Sequence, residues 1–450
     1  MSQQDRPTPA WPVPGGRTGR MLRLGGMTGG ILGGMVASGA RQLAQGQRPR
    51  LSGTLLTPAT AQHIARDLGR MRGAAMKLGQ MLSMDTGLIL PPEMTEILSA
   101  LRAEAPHMPP RQLRAVLDAE WGPGWYGRFA RFDLQPFAAA SIGQIHRART
   151  HDGQDLAIKV QYPGVRASID SDIDNVAALL RMLGVLGRDL DIAPLLAEAK
   201  AQLHAEADYQ AEASHLARFN ALLADDPAYR LPQLHPPLTT PQVLAMSYVH
   251  SQPLETLVDA PQQTRDRVAR ALIDLVLREL FDLRLMQTDP NPANFRFDPD
   301  AARVVLLDFG AVMPIDPAMA ADFRALMRAG LSADPAAMRD AMTRIGYIAP
   351  GMASRHQDMI LSMFDTAMTP LRQDTPFDFG TSRLLETLRD MGLAMGKERD
   401  LTHIPPPATL FLHRKIGGIY LLATRLRARV ALRPLLDRHD SADGGTACRS

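Results

Sequence analysis

Met286–Gly310 reads MQTDPNPANFRFDPDAARVVLLDFG, and its spacing decides the fold. Asp289 is followed five residues later by Asn294. A short turn comes next, then an apolar strand from Val304 to Leu307, then Asp308-Phe309-Gly310. Two carboxylates and an amide in this order have a physical use. One carboxylate faces an attacking hydroxyl or water. The amide and the second carboxylate converge on Mg²⁺ ions that bridge nucleotide phosphates. A tight loop followed by a hairpin brings all three together.

The stretch is thus the metal and base half of a protein-kinase-type phosphoryl-transfer site. It departs from that pattern at one place: Gln287-Thr288 stand where His-Arg usually precede the first aspartate. Upstream, Leu156-Ala157-Ile158-Lys159-Val160 is an apolar strand interrupted by one lysine. In a V-A-I-K strand the lysine neutralises the α/β-phosphates and pairs with a helix glutamate. Alone, such a strand is a weak signal. It gains weight because a strand–tight loop–strand pattern, Phe137 to His146, precedes it and His151-Asp152-Gly153-Gln154 makes a hairpin turn between them.

Residues 165–222 read as mostly helical. Asp208 and Glu212 fall at i, i+4 on one helix face, where like charges cost only about 0.2–0.5 kcal/mol. A solvated acidic face and a set of cation-holding carboxylates are therefore both open on spacing alone. Val243–Val249 is a strand suited to a hinge whose backbone, around Met246 and Tyr248, reads an adenine edge. Past Pro261 the chain is helical except for the 286–310 hairpin, with breaks at Pro370, Pro376 and Pro405-Pro406-Pro407. His413-Arg414-Lys415 with Gly417-Gly418 is expected to open a final helix reaching about Leu436. Gly392-x-x-x-Gly396-Lys397 has one residue too few for a phosphate loop and lacks its strand and Ser/Thr, so it is rejected.

The chain has 450 residues, room for a large core and two lobes. Net charge is only +3 and basic runs are short, which argues against nucleic-acid binding. A single cysteine, Cys448, excludes a disulfide framework and a Cys-rich metal site. Residues 24–40 are apolar but glycine-heavy. As a helix they would span about 25 Å, short of the ~30 Å hydrocarbon core, so a linker is the favoured reading, with contact at a membrane surface left open. Pro58 to Met84 carries an apolar stripe at Ile64, Leu68, Met71, Ala75, Leu78 and Leu82. Its other face holds Arg66, Arg70, Gly73, Lys77 and Gln80. On periodicity alone that face is a solvated basic one.

Seven segments together resemble the ABC1/UbiB (AarF) atypical kinase family, in its coenzyme Q branch. They are RGAAMKLGQMLSMD (72–85), PFAAASIGQIHRA (136–148), AIKVQYPGV (157–165), EADYQAEA (206–213), MQTDPNPANF (286–295), LLDFG (306–310) and LHRKIGG (412–418). The resemblance implies that Lys159 and Glu212 form the nucleotide-lysine ion pair and that Asp289 is the catalytic-loop acid. It implies that Asn294 and Asp308 hold Mg²⁺. Lys77 and Gln80 then belong to a Lys-x-Gly-Gln helix folded over the active site, and Glu206 and Asp208 to a Glu-x-Asp pair. Ala138-Ala139-Ala140-Ser141 takes the place of a glycine-rich phosphate loop. Alanine restricts positive φ, and the family association is altered nucleotide preference with little phosphorylation of other proteins. Ser247 and Ser251 depart from the family pattern on the adenine side.

The expected fold is α+β, a protein-kinase-like two-lobe fold with an N-terminal helical extension packed over the active site. Its expected parts are a flexible, potentially membrane-associating terminus (1–57), the helical extension (58–131), an N-lobe with a helical insertion (132–250), a C-lobe (251–436) and a polar tail (437–450). Expected ligands are ATP or ADP with Mg²⁺. Expected partners are a membrane surface or isoprenoid quinone precursors and quinone-biosynthesis proteins, with no nucleic acid and a homodimer among the assemblies allowed. The expected place is cytoplasmic, peripheral to an inner membrane. The expected activity is slow ATP hydrolysis supporting ubiquinone biosynthesis. Two other classes stay open: a kinase for a small molecule or lipid, and a nucleotide-gated binding or assembly module.

Overall fold

Apolar alternation builds the first sheet. The computed structural model describes residues 107–182, 193–396, 403 and 405–440. Pro58–Met84, the 24–40 stretch, Lys77 and Gln80 lie outside the described residues. In chain order the first elements are α1 (Pro110–Trp121), β1 (Phe129–Phe132), β2 (Ala138–Ala139), β3 (Gly143–Thr150) and β4 (Asp155–Gln161). Then follow α2 (Val165–Met182), α3 (Ala193–Glu206), α4 (Tyr209–Leu222), β5 (Tyr229–Arg230), β6 (Val243–Ser247) and β7 (Gln252–Pro253). Contacts divide the described chain into two compact units. One runs to Ser214 and takes in Gln233–Tyr248; the other holds His215–Pro232 and the residues from Val249 on.

In the first unit the sheet order is β1-β3-β4-β6, with β2 also pairing on β3. Leu156, Ile158 and Val160 of β4 are fully buried in the core. Side chains alternate along a strand, so Lys159 is turned to the opposite face. Trp121, Trp125, Phe129 and Phe132 pack ring against ring, with Trp125 and Phe132 at 4.9 Å and 70°. The Trp121 indole N–H is satisfied by the Leu238 carbonyl at 2.9 Å. Gly143 is required by close approach: a Cβ there would strike the Val160 carbonyl and fall 2.9 Å from the Tyr209 hydroxyl.

The helical reading of 165–222 needs one correction. Asp208 and Glu212 do not share a helix face, because α3 ends at Glu206 and α4 begins at Tyr209. Asp208 sits between them as an N-cap. Its carbonyl accepts from Glu212 N at 3.0 Å, and its Oδ1 accepts from Ala211 N at 3.0 Å. A short carboxylate satisfies a first-turn N–H better as a cap than it serves inside a helix.

The second unit continues with α5 (Gln262–Phe281), β8 (Leu285–Gln287), β9 (Phe295–Asp298), β10 (Arg303–Leu306) and β11 (Val312–Pro314). Its sheet order is β5-β10-β9-β7, in which β9 and β10 form the predicted hairpin. A separate ribbon pairs β8 with β11, Gln287 opposite Val312. Helices α6 (Pro317–Leu331), α7 (Pro335–Ile345), α8 (Ser354–Met368), α9 (Leu384–Met395), α10 (Pro407–Arg425) and α11 (Arg433–Asp440) follow. Asp316 and Asp334 cap α6 and α7, each just ahead of a proline at the first helical position. The expected final helix is also corrected. Pro407 starts α10, so His413-Arg414-Lys415 lies inside it, and the helix ends where Arg427 takes φ 48°. Among the described residues no helix is long and apolar enough to cross a membrane.

Candidate active site

The sequence places Lys159 on a buried strand, and burial of an ammonium demands a partner. Glu212 supplies it. Lys159 Nζ donates to both carboxylate oxygens of Glu212 at 2.8 Å, and the two side chains are only 8% and 2% exposed. Glu212 stands in the first turn of α4, where the helix dipole also favours its charge. The Tyr209 ring lies 5.0 Å from the ammonium.

The alanine stretch folds beside this pair. Ala138 and Ala139 lie in β2, opposite Ile145 and Gln144. Ala140 N closes the turn onto the Gly143 carbonyl at 2.9 Å. None of residues 138–141 takes a positive φ, so alanine is accommodated without strain. The Ser141 hydroxyl hydrogen-bonds Glu206 Oε2 at the end of α3. That bond ties the turn to the Glu-x-Asp segment, a contact the sequence pattern did not announce. Met246 is buried in β6 opposite Ala157. Tyr248 N donates to the Asp155 carbonyl at 2.8 Å, so its N–H is already committed within the first unit. The Tyr248 ring packs edge-on to Phe137 and under the Arg147 guanidinium.

In the second unit the 286–310 stretch closes on itself. Asn294 Nδ2 donates to the Asp289 carbonyl at 3.2 Å, while Leu307 N donates to the Asn294 carbonyl at 3.1 Å. Asp289 Oδ1 accepts from Asn291 N at 3.3 Å. Asp308 Oδ1 accepts from Gly310 N at 2.9 Å. Three carbonyls of the Asp308–Ala311 turn are held from outside it. Gln287 Nε2 donates to that of Asp308 at 3.1 Å, and His215 Nδ1 to that of Phe309 at 3.1 Å. Thr288 N donates to that of Ala311 at 2.8 Å. Phe309 is buried against Phe219, 4.8 Å between ring centres.

This donor set fits Mg²⁺ held with a nucleotide. Because Asn294 Nδ2 is spent on Asp289, its Oδ1 is the amide atom able to meet a cation. Asp308 adds a carboxylate. One amide and one carboxylate are too few for a protein-only cage, and among the described residues no group of three His, Cys, Asp or Glu gathers for a metal. Mg²⁺ accepts few protein oxygens and takes the rest from phosphates and water.

Sequence reasoning missed a buried network behind the loop. Lys415 of α10 and Glu279 of α5 pair at 3.1 Å, 0% and 1% exposed. Burial pushes the Glu279 carboxyl up and the Lys415 ammonium down, each opposed by the other's charge. A signal existed. Lys415 falls in the apolar stripe Leu412, Ile419, Leu422, and Glu279 in the stripe Leu272, Leu275, Val276. A charge inside a helical core stripe announces a buried partner.

Comparison with known proteins shows the family. Residues 100–342 match the ABC1 atypical kinase-like domain. The chain is 35% identical over 425 residues to the mitochondrial atypical kinase COQ8 of Saccharomyces cerevisiae, covering 93% of this chain and 83% of that one. It is 34% identical over 429 residues to the mitochondrial atypical kinase COQ8B of Danio rerio, covering 94% and 68%. A solved structure of Rv3197 in complex with erythromycin, from Mycobacterium tuberculosis, matches with TM-score 0.56 and 27% identity, covering 84% of this chain and 94% of that one. The fold is kinase-like α+β, and the chain belongs to the ABC1 atypical kinase family.

Proposed function

We propose that the protein binds Mg-ATP and hydrolyses it slowly, in support of coenzyme Q biosynthesis and with little phosphorylation of other proteins. The observation that carries this reading is the closed loop in which Asn294 is bonded to Asp289 and directly precedes the hairpin delivering Asp308. When bound, Mg-ATP supplies the phosphoryl group and the metal that neutralises its charge. Asp308 and the Asn294 amide oxygen hold the metal. Asp289 orients the attacking hydroxyl or water. Lys159, held by Glu212, meets phosphate oxygens. Ala138, Ala139, Ala140 and Ser141 flank the phosphates, Glu206 and Asp208 face a further cation, and Met246 and Tyr248 line the adenine side. Lys77 and Gln80 are assigned to gating on the resemblance alone.

The intact Asp289, Asn294 and Asp308 favour turnover over simple binding. The coenzyme Q assignment rests on the MQTDPN wording and on the identity to the COQ8 relatives. The acting place is a membrane surface bearing isoprenoid quinone precursors, with quinone-biosynthesis proteins as partners. Asp308→Asn should abolish ATP hydrolysis while circular dichroism and thermal unfolding stay as in wild type; unchanged turnover would sink the catalytic assignment. Quinone profiling of a deletion strain complemented by wild type or Asp308→Asn tests the pathway. Normal quinone in the deletion strain refutes that part alone.

A further inference from the structure

Helix α10 lies beyond residues 100–342, which match the ABC1 domain, yet it reaches the catalytic loop twice. Lys415 Nζ donates to Gln287 Oε1 at 2.8 Å. Gln287 Nε2 in turn donates to the Asp308 carbonyl at 3.1 Å. One turn along α10, Gly418 lies on Pro290, next to Asp289; a Cβ on Gly418 would fall 2.7 Å from Pro290 Cγ. Lys415 also stands 5.3 Å from the Phe295 ring.

The chemistry fixes the direction of the first link. An amide has one acceptor end and one donor end. An ammonium accepts nothing, so the Gln287 oxygen must face Lys415. Its NH₂ must then face the Asp308 carbonyl. Lys415 therefore sets the orientation of the Gln287 amide and, through it, holds the peptide that aims the Asp308 carboxylate. Buried beside it, the cation also polarises the amide and strengthens its donor end. Glu279 pairs with the buried ammonium at 3.1 Å, opposing the burial that pushes it down, and takes the Gln287 N–H at 3.4 Å.

We propose that Lys415, Glu279 and Gln287 are positioning residues for the metal ligand Asp308, with α10 an integral part of the phosphoryl-transfer machinery. Gln287 does its part where the usual histidine is missing. Lys415 itself touches no substrate, since it is fully buried and its ammonium is spent on Glu279 and Gln287. The proposal rests on the metal-binding reading of Asp308 given above.

The test needs variants that cut the relay without leaving a lone buried charge. Replacing a buried pair by apolar residues of similar volume is often neutral for stability. Lys415→Met/Glu279→Leu does this. Gln287→Glu does not, since it adds a buried carboxylate, but it keeps a partner for Lys415 and turns the donor to Asp308 into an acceptor. Each is compared with wild type and Asp308→Asn by Mg²⁺ titration of ATP turnover and of ATP-induced thermal stabilisation, with ATP binding in EDTA as the reference. Loss of an outer-shell partner typically weakens a metal site 10–100-fold. The relay variants should need at least about tenfold more Mg²⁺ for half-maximal response, with ATP binding in EDTA unchanged. A merely structural role would not separate the two readouts. Folded relay variants with a wild-type Mg²⁺ midpoint overturn this inference alone when Asp308→Asn has lost its Mg²⁺ response. If Asp308→Asn keeps that response, the metal assignment falls, and the inference with it. Should the double variant fail to fold, Gln287→Glu decides.

Discussion

Lys159 Nζ stands 2.8 Å from both carboxylate oxygens of Glu212, fifty-three residues away, in a pair almost closed to solvent. A pair this buried is poor evidence for stability in itself, because desolvation offsets much of the attraction. Breaking it is another matter. Lys159→Met or Glu212→Gln alone should destabilise the protein by about 3–5 kcal/mol, as a buried ion pair is broken from one side. The double variant Lys159→Met/Glu212→Leu should recover most of that loss in urea unfolding yet still fail to bind a fluorescent ATP analogue. Wild-type affinity in the double variant would mean that the lysine serves the fold and not the nucleotide.

Gly417 and Gly418 are neighbours in α10 with opposite expectations. A Cβ at Gly418 would overlap Pro290, whereas nothing lies within 4 Å of one at Gly417. Gly418→Ala should therefore push the helix and the Asp289 loop apart, costing about 1–3 kcal/mol and most of the ATP turnover. Gly417→Ala should leave turnover unchanged and raise stability by about 0.5–1 kcal/mol, the usual gain on removing glycine from a helix interior. Thermal melts with steady-state ATP hydrolysis separate the two. Equal effects at both positions would show that the Pro290 contact is not what restricts Gly418.

What could be read along the chain followed from local periodicity. Alternation of Leu156, Ile158 and Val160 marks a strand and leaves Lys159 on its other face. The spacing from Asp289 to Asp308 likewise implies a loop and hairpin. Tertiary partners had no such local signal. Lys415 and Gln287 are 128 residues apart, and no pattern joins them. The Asp208 cap was missed because i, i+4 spacing says nothing about whether the helix between is continuous. The start of α10 was missed for a different reason: the glycine pair inside a helix was read as its opening, when close packing against Pro290 accounts for Gly418.

His439 on α11 is set between two carboxylates of the second unit, with Nδ1 3.0 Å from Asp282 and Nε2 3.4 Å from Asp274. Burial works against its charge, but the two aspartates together outweigh it and push the imidazole up to about 9. The charged form is thus favoured by folding. Its contribution is full below the unfolded histidine value near 6.5 and fades as pH rises through about 9. His439→Gln should cost on the order of 1–3 kcal/mol at pH 6 and much less at pH 10, read from urea midpoints. A pH-independent difference between the two proteins would rule out the ion-pair account.

His146 in β3 should behave in the opposite sense. Its Nδ1 is 2.8 Å from the Asp133 carbonyl, and its Nε2 is 2.8 Å from the Gln144 amide nitrogen. A carbonyl can only accept and an NH₂ can only donate, so the ring is neutral with its proton on Nδ1. Gln144 Oε1 then accepts from Met108 N at 2.8 Å, which fixes the chain just ahead of α1. Burial, only partly opposed by the Asp133 carbonyl, pushes the imidazole down to about 4. Folding therefore favours the uncharged ring. Its stabilisation is complete above about pH 6.5, declines as pH falls, and is exhausted below about 4, a total on the order of 3 kcal/mol. Protonation would also set an N–H against the Gln144 amide and release Met108. Urea unfolding of wild type and His146→Asn at pH 7, 5.5 and 4.5 should converge as pH drops, because the variant has no proton to take up. Parallel pH profiles for the two proteins would show that the acid sensitivity of this unit comes from other groups.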